Sequence, residues 1–182
     1  EHQAEHEGED AQTERPENTP TADTEGGFVS IFNGQDLAGW DAEPDFWRVE
    51  DGAIVGQTTE EKKVPYNKFA IWNDGEIDDF ELKLDYKIES GNSGIQVRSF
   101  RNRDPNKTHS IQGYQADLDA GRGWAGANYG EGYDGVLAKR GESAILRDGE
   151  KKIEREITAI GDANELRDKI KVNDWNEFHV IA

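Results

Sequence analysis

Residues 79–99, DFELKLDYKIESGNSGIQVRS, decide the fold. Phe80, Leu82, Leu84, Tyr86 and Ile88 alternate with Glu81, Lys83, Asp85 and Lys87. That two-residue period belongs to a strand with one dry face and one wet face. It resumes after the turn residues Gly91-Asn92-Ser93-Gly94, where Ile95 and Val97 point one way and Gln96 and Arg98 the other. Residues 113–119 repeat it, with Tyr114, Ala116 and Leu118 set against Gln115, Asp117 and Asp119. Together the three strands predict an antiparallel sheet that pools its polar faces into one surface.

The same short-strand pattern predicts further strands at 28–32, 46–50, 53–58, 69–73, 135–139, 152–159 and 177–182. Turn pairs such as Asn33-Gly34, Asp51-Gly52, Asp74-Gly75 and Asp148-Gly149 punctuate them. One helix is expected, over 163–171, where Asp162 can cap and Glu165 follows three residues later. The span 119–135, DAGRGWAGANYGEGYDG, sets Trp124, Tyr129 and Tyr133 in glycine-rich chain. It reads either as a loop folded over a ligand face or as a solvent-facing loop whose aromatics plug the sandwich edge. These elements predict an all-β jelly-roll sandwich with one short helix.

Charge narrows the partners. The 182 residues carry 39 Asp and Glu against 21 Lys and Arg, a formal charge of −18, which repels nucleic acid and anionic membrane surfaces. The longest apolar runs are a few residues, far below the ~20 that cross a bilayer as a helix. Nine of the acids fall within residues 1–26, which hold one base and no aromatic or branched aliphatic residue. A disordered acidic leader 1–26 ahead of a single domain 27–182 is therefore expected. With no cysteine, a disulfide, a thiol nucleophile and a thiolate metal site are all excluded. The chain also holds no methionine, and its acidic leader predicts an exported protein from which a signal has been removed.

Several motifs dissolve on inspection. Gly121-Arg122-Gly123-Trp124-Ala125-Gly126 matches GxGxxG, but Asn128-Tyr129-Gly130-Glu131-Gly132 cannot open the helix that a pyrophosphate needs. Asp117-Leu118-Asp119 begins like a calcium loop, yet position twelve is Asn128 rather than an acid. His2 and His6 fall in the leader, while His109 and His179 match no zinc or triad spacing. Asn106-Lys107-Thr108 is a glycosylation sequon. What remains is Arg98, Gln115, Asp117 and Lys139 on the expected common wet face, a mixture of fixed positive charge, amide and base that suits hydroxyl-rich ligands.

Six segments carry a family resemblance. IFNGQDLAGW (31–40), FWRVEDGAIVGQ (46–57), DFELKLDYKIESGNSGIQVRS (79–99), GYQADL (113–118), YGEGYDGVLAKRG (129–141) and GDANELRDKIKVNDWNEFHVIA (161–182) resemble successive parts of the 3-keto-disaccharide hydrolase family. The resemblance runs from about Phe28 to Ala182 and implies a concanavalin-like sandwich. It also implies exported bacterial enzymes acting on glycosides whose C3 hydroxyl is already a ketone. Such a ketone acidifies the C2 proton, so a base can remove it and expel the C1 substituent, and water then adds back. This route avoids the oxocarbenium path with its paired carboxylates at set separation.

On this resemblance Asp117 is the expected base, Arg98 binds the enolate or a hydroxyl, and Gln96 and Gln115 bind the sugar. Lys139 and Glu131 serve as charge stabiliser and acid, and Trp124 or Tyr129 stacks on a pyranose face. No cofactor is required, although a divalent metal would also serve the enolate. Because family members continue past WNEFHVIA through further strands, the chain is expected to be truncated at Ala182. The competing readings are a non-catalytic carbohydrate-binding module and an interaction module whose acidic leader engages a basic partner. Oligomeric state stays open.

Overall fold

The computed structural model describes residues 27–133, 135–149 and 153–182. The expected leader with His2 and His6, and Lys152 in the expected strand 152–159, lie outside them. Twelve strands and one helix follow in order: β1 (Trp40–Asp41), β2 (Trp47–Glu50), β3 (Ala53–Gly56), β4 (Ile71–Trp72), β5 (Glu81–Tyr86), β6 (Asn92–Arg101), β7 (Ile111–Asp119), β8 (Asn128–Glu131), β9 (Gly135–Ala138), β10 (Glu142–Asp148), β11 (Ile153–Ala159), α1 (Ala163–Asp168) and β12 (Asn176–Ile181). The fold is an all-β sandwich with one short helix, and no described helix is long and apolar enough to cross a membrane.

All strand pairs are antiparallel. The largest sheet runs β6-β7-β8-β9, and the pairs β1-β4, β2-β3, β5-β12 and β10-β11 complete the set. Asp51 and Gly52 join β2 to β3 with φ of 49° and 75°, the two left-handed residues of a type I′ hairpin turn. Asp162 caps α1 as expected, accepting hydrogen bonds from the amides of Asn164 and Glu165 at 2.8 and 2.9 Å.

Three expectations need correction. The strand 80–88 forms as β5, but it pairs with β12 rather than β6, so its polar face does not join the surface of β6 and β7. Alternation dictates which face is dry, not which neighbour supplies the hydrogen bonds. Residues 28–32 form no strand; the Ile31 carbonyl accepts instead from the Trp40 indole at 2.9 Å. The glycine-rich span 119–135 is not one loop: Asn128–Glu131 enters the main sheet as β8, and Tyr133 beyond it stacks on Tyr114, centroids 6.0 Å apart.

The buried apolar residues Ile111, Leu118, Ala125, Ala127 and Leu137 cluster about β7 and its neighbours. Arg140 clamps the turn before β8, donating to the carbonyls of Arg122 and Ala125 at 2.9 and 2.5 Å and to that of Ala163 at 2.9 Å. One guanidinium thereby satisfies three carbonyls and holds the main sheet's connection still.

Candidate functional site

Register puts the site on the main sheet. Gln96 stands opposite Gln115, Gln115 opposite Tyr129, Gly94 opposite Asp117, and Gly113 opposite Glu131. Directly opposed residues share a face, as do residues two apart on one strand. Gln96, Gln115, Asp117, Tyr129 and Glu131 therefore occupy one face of β6, β7 and β8.

That face is not wet. Gln115 and Asp117 are each only 6% exposed. Gln115 Nε2 donates to Asp117 Oδ1 at 2.6 Å. Its side chain crosses over β6 at Gly94, where an added Cβ would sit 2.5 Å from Gln115 Cγ and 2.7 Å from Cδ. Only glycine leaves room for this approach. The GNSG segment, expected as a turn, is thus partly strand, with Asn92–Gly94 inside β6.

Electrostatics on the face are one-sided. Burial pushes the Asp117 carboxyl above the ordinary carboxylate range; the Gln115 bond opposes this, and repulsion from Asp119 and Glu131 adds to it. Among the described residues no ion pair reaches Asp117 or Glu131. Gln96 is the second anomaly, since both its amide oxygen and its amide nitrogen are buried without a hydrogen-bond partner. Unpaired buried amides cost stability, and a polar ligand on this face would supply what they lack. At the edge, Asn67 Nδ2 donates to Glu131 Oε2 at 3.2 Å.

Arg98 and Lys139 do not join Gln115 and Asp117 as expected. A bulge between Val97 and Phe100 gives β6 one extra residue, and Arg98 sits in it with φ of 47°. Its guanidinium goes to Asp79 at 2.7 Å and Asp78 at 3.1 Å, which raise its pKa further. Lys139 follows β9 and lines a cavity of about 260 Å³ with Tyr114, Asn128 and Ala138, residues of the opposite face. Trp124 is half exposed in the turn before β8, its amide donating to Asp119 Oδ2 at 2.9 Å. Asp119 also accepts from the Gly121 amide at 3.0 Å, so both its oxygens serve this turn.

The family model described as 3-keto-alpha-glucoside-1,2-lyase-like domain matches residues 27–182. The chain belongs to that family. No curated protein and no solved structure matches it. Membership in the lyase-like family points to activity related to 3-keto-glycosides and to a carbohydrate ligand. Among the described residues, no group of three or more His, Asp or Glu side chains is arranged to hold a metal ion.

For a lyase-like chemistry the face offers a carboxyl whose pKa burial raises, two amides and a second carboxylate. Such a set can move a proton at carbon and orient hydroxyls. Sequence reasoning missed Asn67, because TEEKKVPYNKFA (59–70) has no period and no motif to flag it. It also missed the ionic chain behind that segment. Arg101 pairs with Asp41 Oδ2 at 2.7 Å, Asp41 Oδ1 with His109 Nε2 at 2.9 Å, and Lys68 with Glu43. His109 Nδ1 lies 3.5 Å from Glu43 Oε2. These five residues come from four separate stretches, so no local pattern joins them.

Proposed function

We propose that this domain cleaves 3-keto-glycosides by elimination across C1 and C2, followed by hydration of the product. The observation that carries the reading is Asp117, a buried carboxyl with a raised pKa, beside the unpaired amide of Gln96. Structural carboxylates are normally given a cation; one kept without it is suited to proton transfer.

Gln115 occupies Oδ1 of Asp117, which leaves Oδ2 to take the C2 proton. As that C–H bond breaks, its electron pair forms the enolate on the C3 oxygen, and amide N–H groups of Gln96 and Gln115 bind that oxygen. Collapse of the enolate forms the C1–C2 double bond and breaks the bond from C1 to the aglycone oxygen. Glu131, when protonated, supplies the proton that oxygen needs to leave. The products are the free alcohol and a 2-hydroxy-3-keto-glucal. Water adds hydroxyl to C1 and a proton returns to C2, so the sum is hydrolysis. Tyr129, on the same face, gives a pyranose ring a surface on which to lie.

The test is to incubate the protein with a 3-keto-glucoside, with and without chelator, following aglycone release and transient enone absorbance. The wild type should release aglycone, and Asp117→Asn should lower turnover about 10³-fold, the middle of the range for losing a general base. Full activity in Asp117→Asn removes the base assignment. Saturable binding without release makes the domain a carbohydrate-binding module instead.

A further inference from the structure

We infer that Asn67 is a positioning residue for Glu131, fixing which carboxyl oxygen carries the proton that Glu131 transfers. This rests on the reading of Glu131 as the acid in the proposed elimination. Residues 57–70 contain no helix or strand, and a donor in such a segment would ordinarily wander. Here the residues on both sides of Asn67 are pinned. Tyr66 Oη donates to the Asn106 carbonyl at 3.2 Å, and the Phe69 amide donates to the His109 carbonyl at 2.9 Å. Lys68 pairs with Glu43, only 9% of its side chain is exposed, and its Nζ lies 5.4 Å from the Phe46 ring centre and 5.3 Å from that of Tyr66.

Glu43 in turn lies beside His109, which bonds Asp41, which bonds Arg101 near the end of β6. The anchor therefore ties the segment to the same sheet that carries the site. Asn67, exposed between three anchored neighbours, is left to reach Glu131. An amide N–H on Oε2 occupies that oxygen, so when Glu131 is protonated the proton resides on Oε1. The ionisable groups around this pair are Asp117 on β7, Tyr129 two residues earlier on β8, and Tyr66 and Lys68 next to Asn67.

The experiment compares wild type with Asn67→Ala, Asn67→Asp and Asn67→Gln by two readouts: ¹³C NMR titration of the Glu131 carboxyl, and the pH profile of 3-keto-glucoside cleavage. In Asn67→Ala, loss of the donor should change the Glu131 carboxyl titration and lower kcat about tenfold with KM within about twofold. Asn67→Asp, which sets a second carboxylate there, should move it further, and Asn67→Gln should stay nearest the wild type. An unmoved Glu131 titration in Asn67→Ala overturns the inference. So does a raised KM at constant kcat, which would make Asn67 a substrate contact. If the wild type cleaves nothing, the elimination reading falls, and the NMR titration still decides whether Asn67 controls the Glu131 proton.

Discussion

The ionic chain of Arg101, Asp41, His109, Glu43 and Lys68 and the face of Gln96, Gln115, Asp117 and Glu131 are both polar clusters; the chain runs from the exposed pair Arg101–Asp41 inward to shielded Lys68, and the face buries Gln115 and Asp117. In the first, both carboxylates have cationic partners. Arg101 and His109 hold Asp41, whose own burial pulls the other way, below the ordinary carboxylate range, and Glu43 raises the pKa of Lys68. In the second, Asp117 receives only a neutral amide, and its pKa moves up. Burial acts on both; what differs is whether an opposite charge answers it. Paired charge marks the part that holds the fold, and unanswered charge marks the part available for chemistry.

The contrast breaks most visibly at Lys68. Replacing it in Lys68→Met leaves Glu43 shielded beside His109 with its main cation gone, so stability should fall by about 2 kcal/mol, read as a lower urea midpoint at unchanged slope. That is below the cost of splitting a deep pair, because Glu43 is still 27% exposed. An unchanged midpoint would mean that the cluster is ornamental and that pairing does not separate the two regions.

Asp117→Asn should act in the opposite direction. The amide keeps an oxygen for Gln115 and removes a buried charge, so the variant should gain about 1 kcal/mol at neutral pH while losing turnover. The pH dependence has opposite sign in the two clusters. Asp117 has a raised folded pKa, so stability is lost as pH rises from the unfolded pKa near ~3.9 through the folded value; the gap between wild type and Asp117→Asn should open across that interval and vanish below ~3.9. Asp41 has a lowered folded pKa, so its contribution is present above ~3.9 and lost as pH falls through the folded value. Melting temperatures of Asp117→Asn and Asp41→Asn across pH 2–7 should therefore diverge from wild type at the same end of the scale with contrary sign.

The sheet was legible wherever a two-residue period ran uninterrupted, as in 80–88 and 113–119, and the helix wherever a cap announced it. Neighbours were not: β5 chose β12, and no alternation distinguishes that partner from β6. Strand β8 hid because Asn128-Tyr129-Gly130-Glu131 lacks alternating apolar residues and sits among glycines that signal turns. For the site, Gln96, Gln115, Asp117, Tyr129 and Glu131 could be proposed from periodicity and resemblance, and register gathers them. Their burial could not be read, because polar residues on a strand face signify water until something covers them. Arg98 and Lys139 went astray for separate reasons: a bulge re-aims one, and the other follows the end of its strand.

Arg98 offers the smallest and most discriminating effect. It is 42% exposed and its partners Asp78 and Asp79 are 93% and 90% exposed, so its ion pairs lie in water and are screened. Alanine at this position inherits the same positive φ, so the strain stays and only the exposed pairs are lost. Arg98→Ala should therefore leave the melting temperature unchanged within error and, if Arg98 stays with its acids during turnover, leave kcat and KM unchanged as well. A raised KM at constant melting temperature would show that Arg98 leaves Asp78 and Asp79 when the ligand arrives. The site would then hold a cation in its working state, and the line between answered and unanswered charge would mark how the two clusters rest rather than how they act.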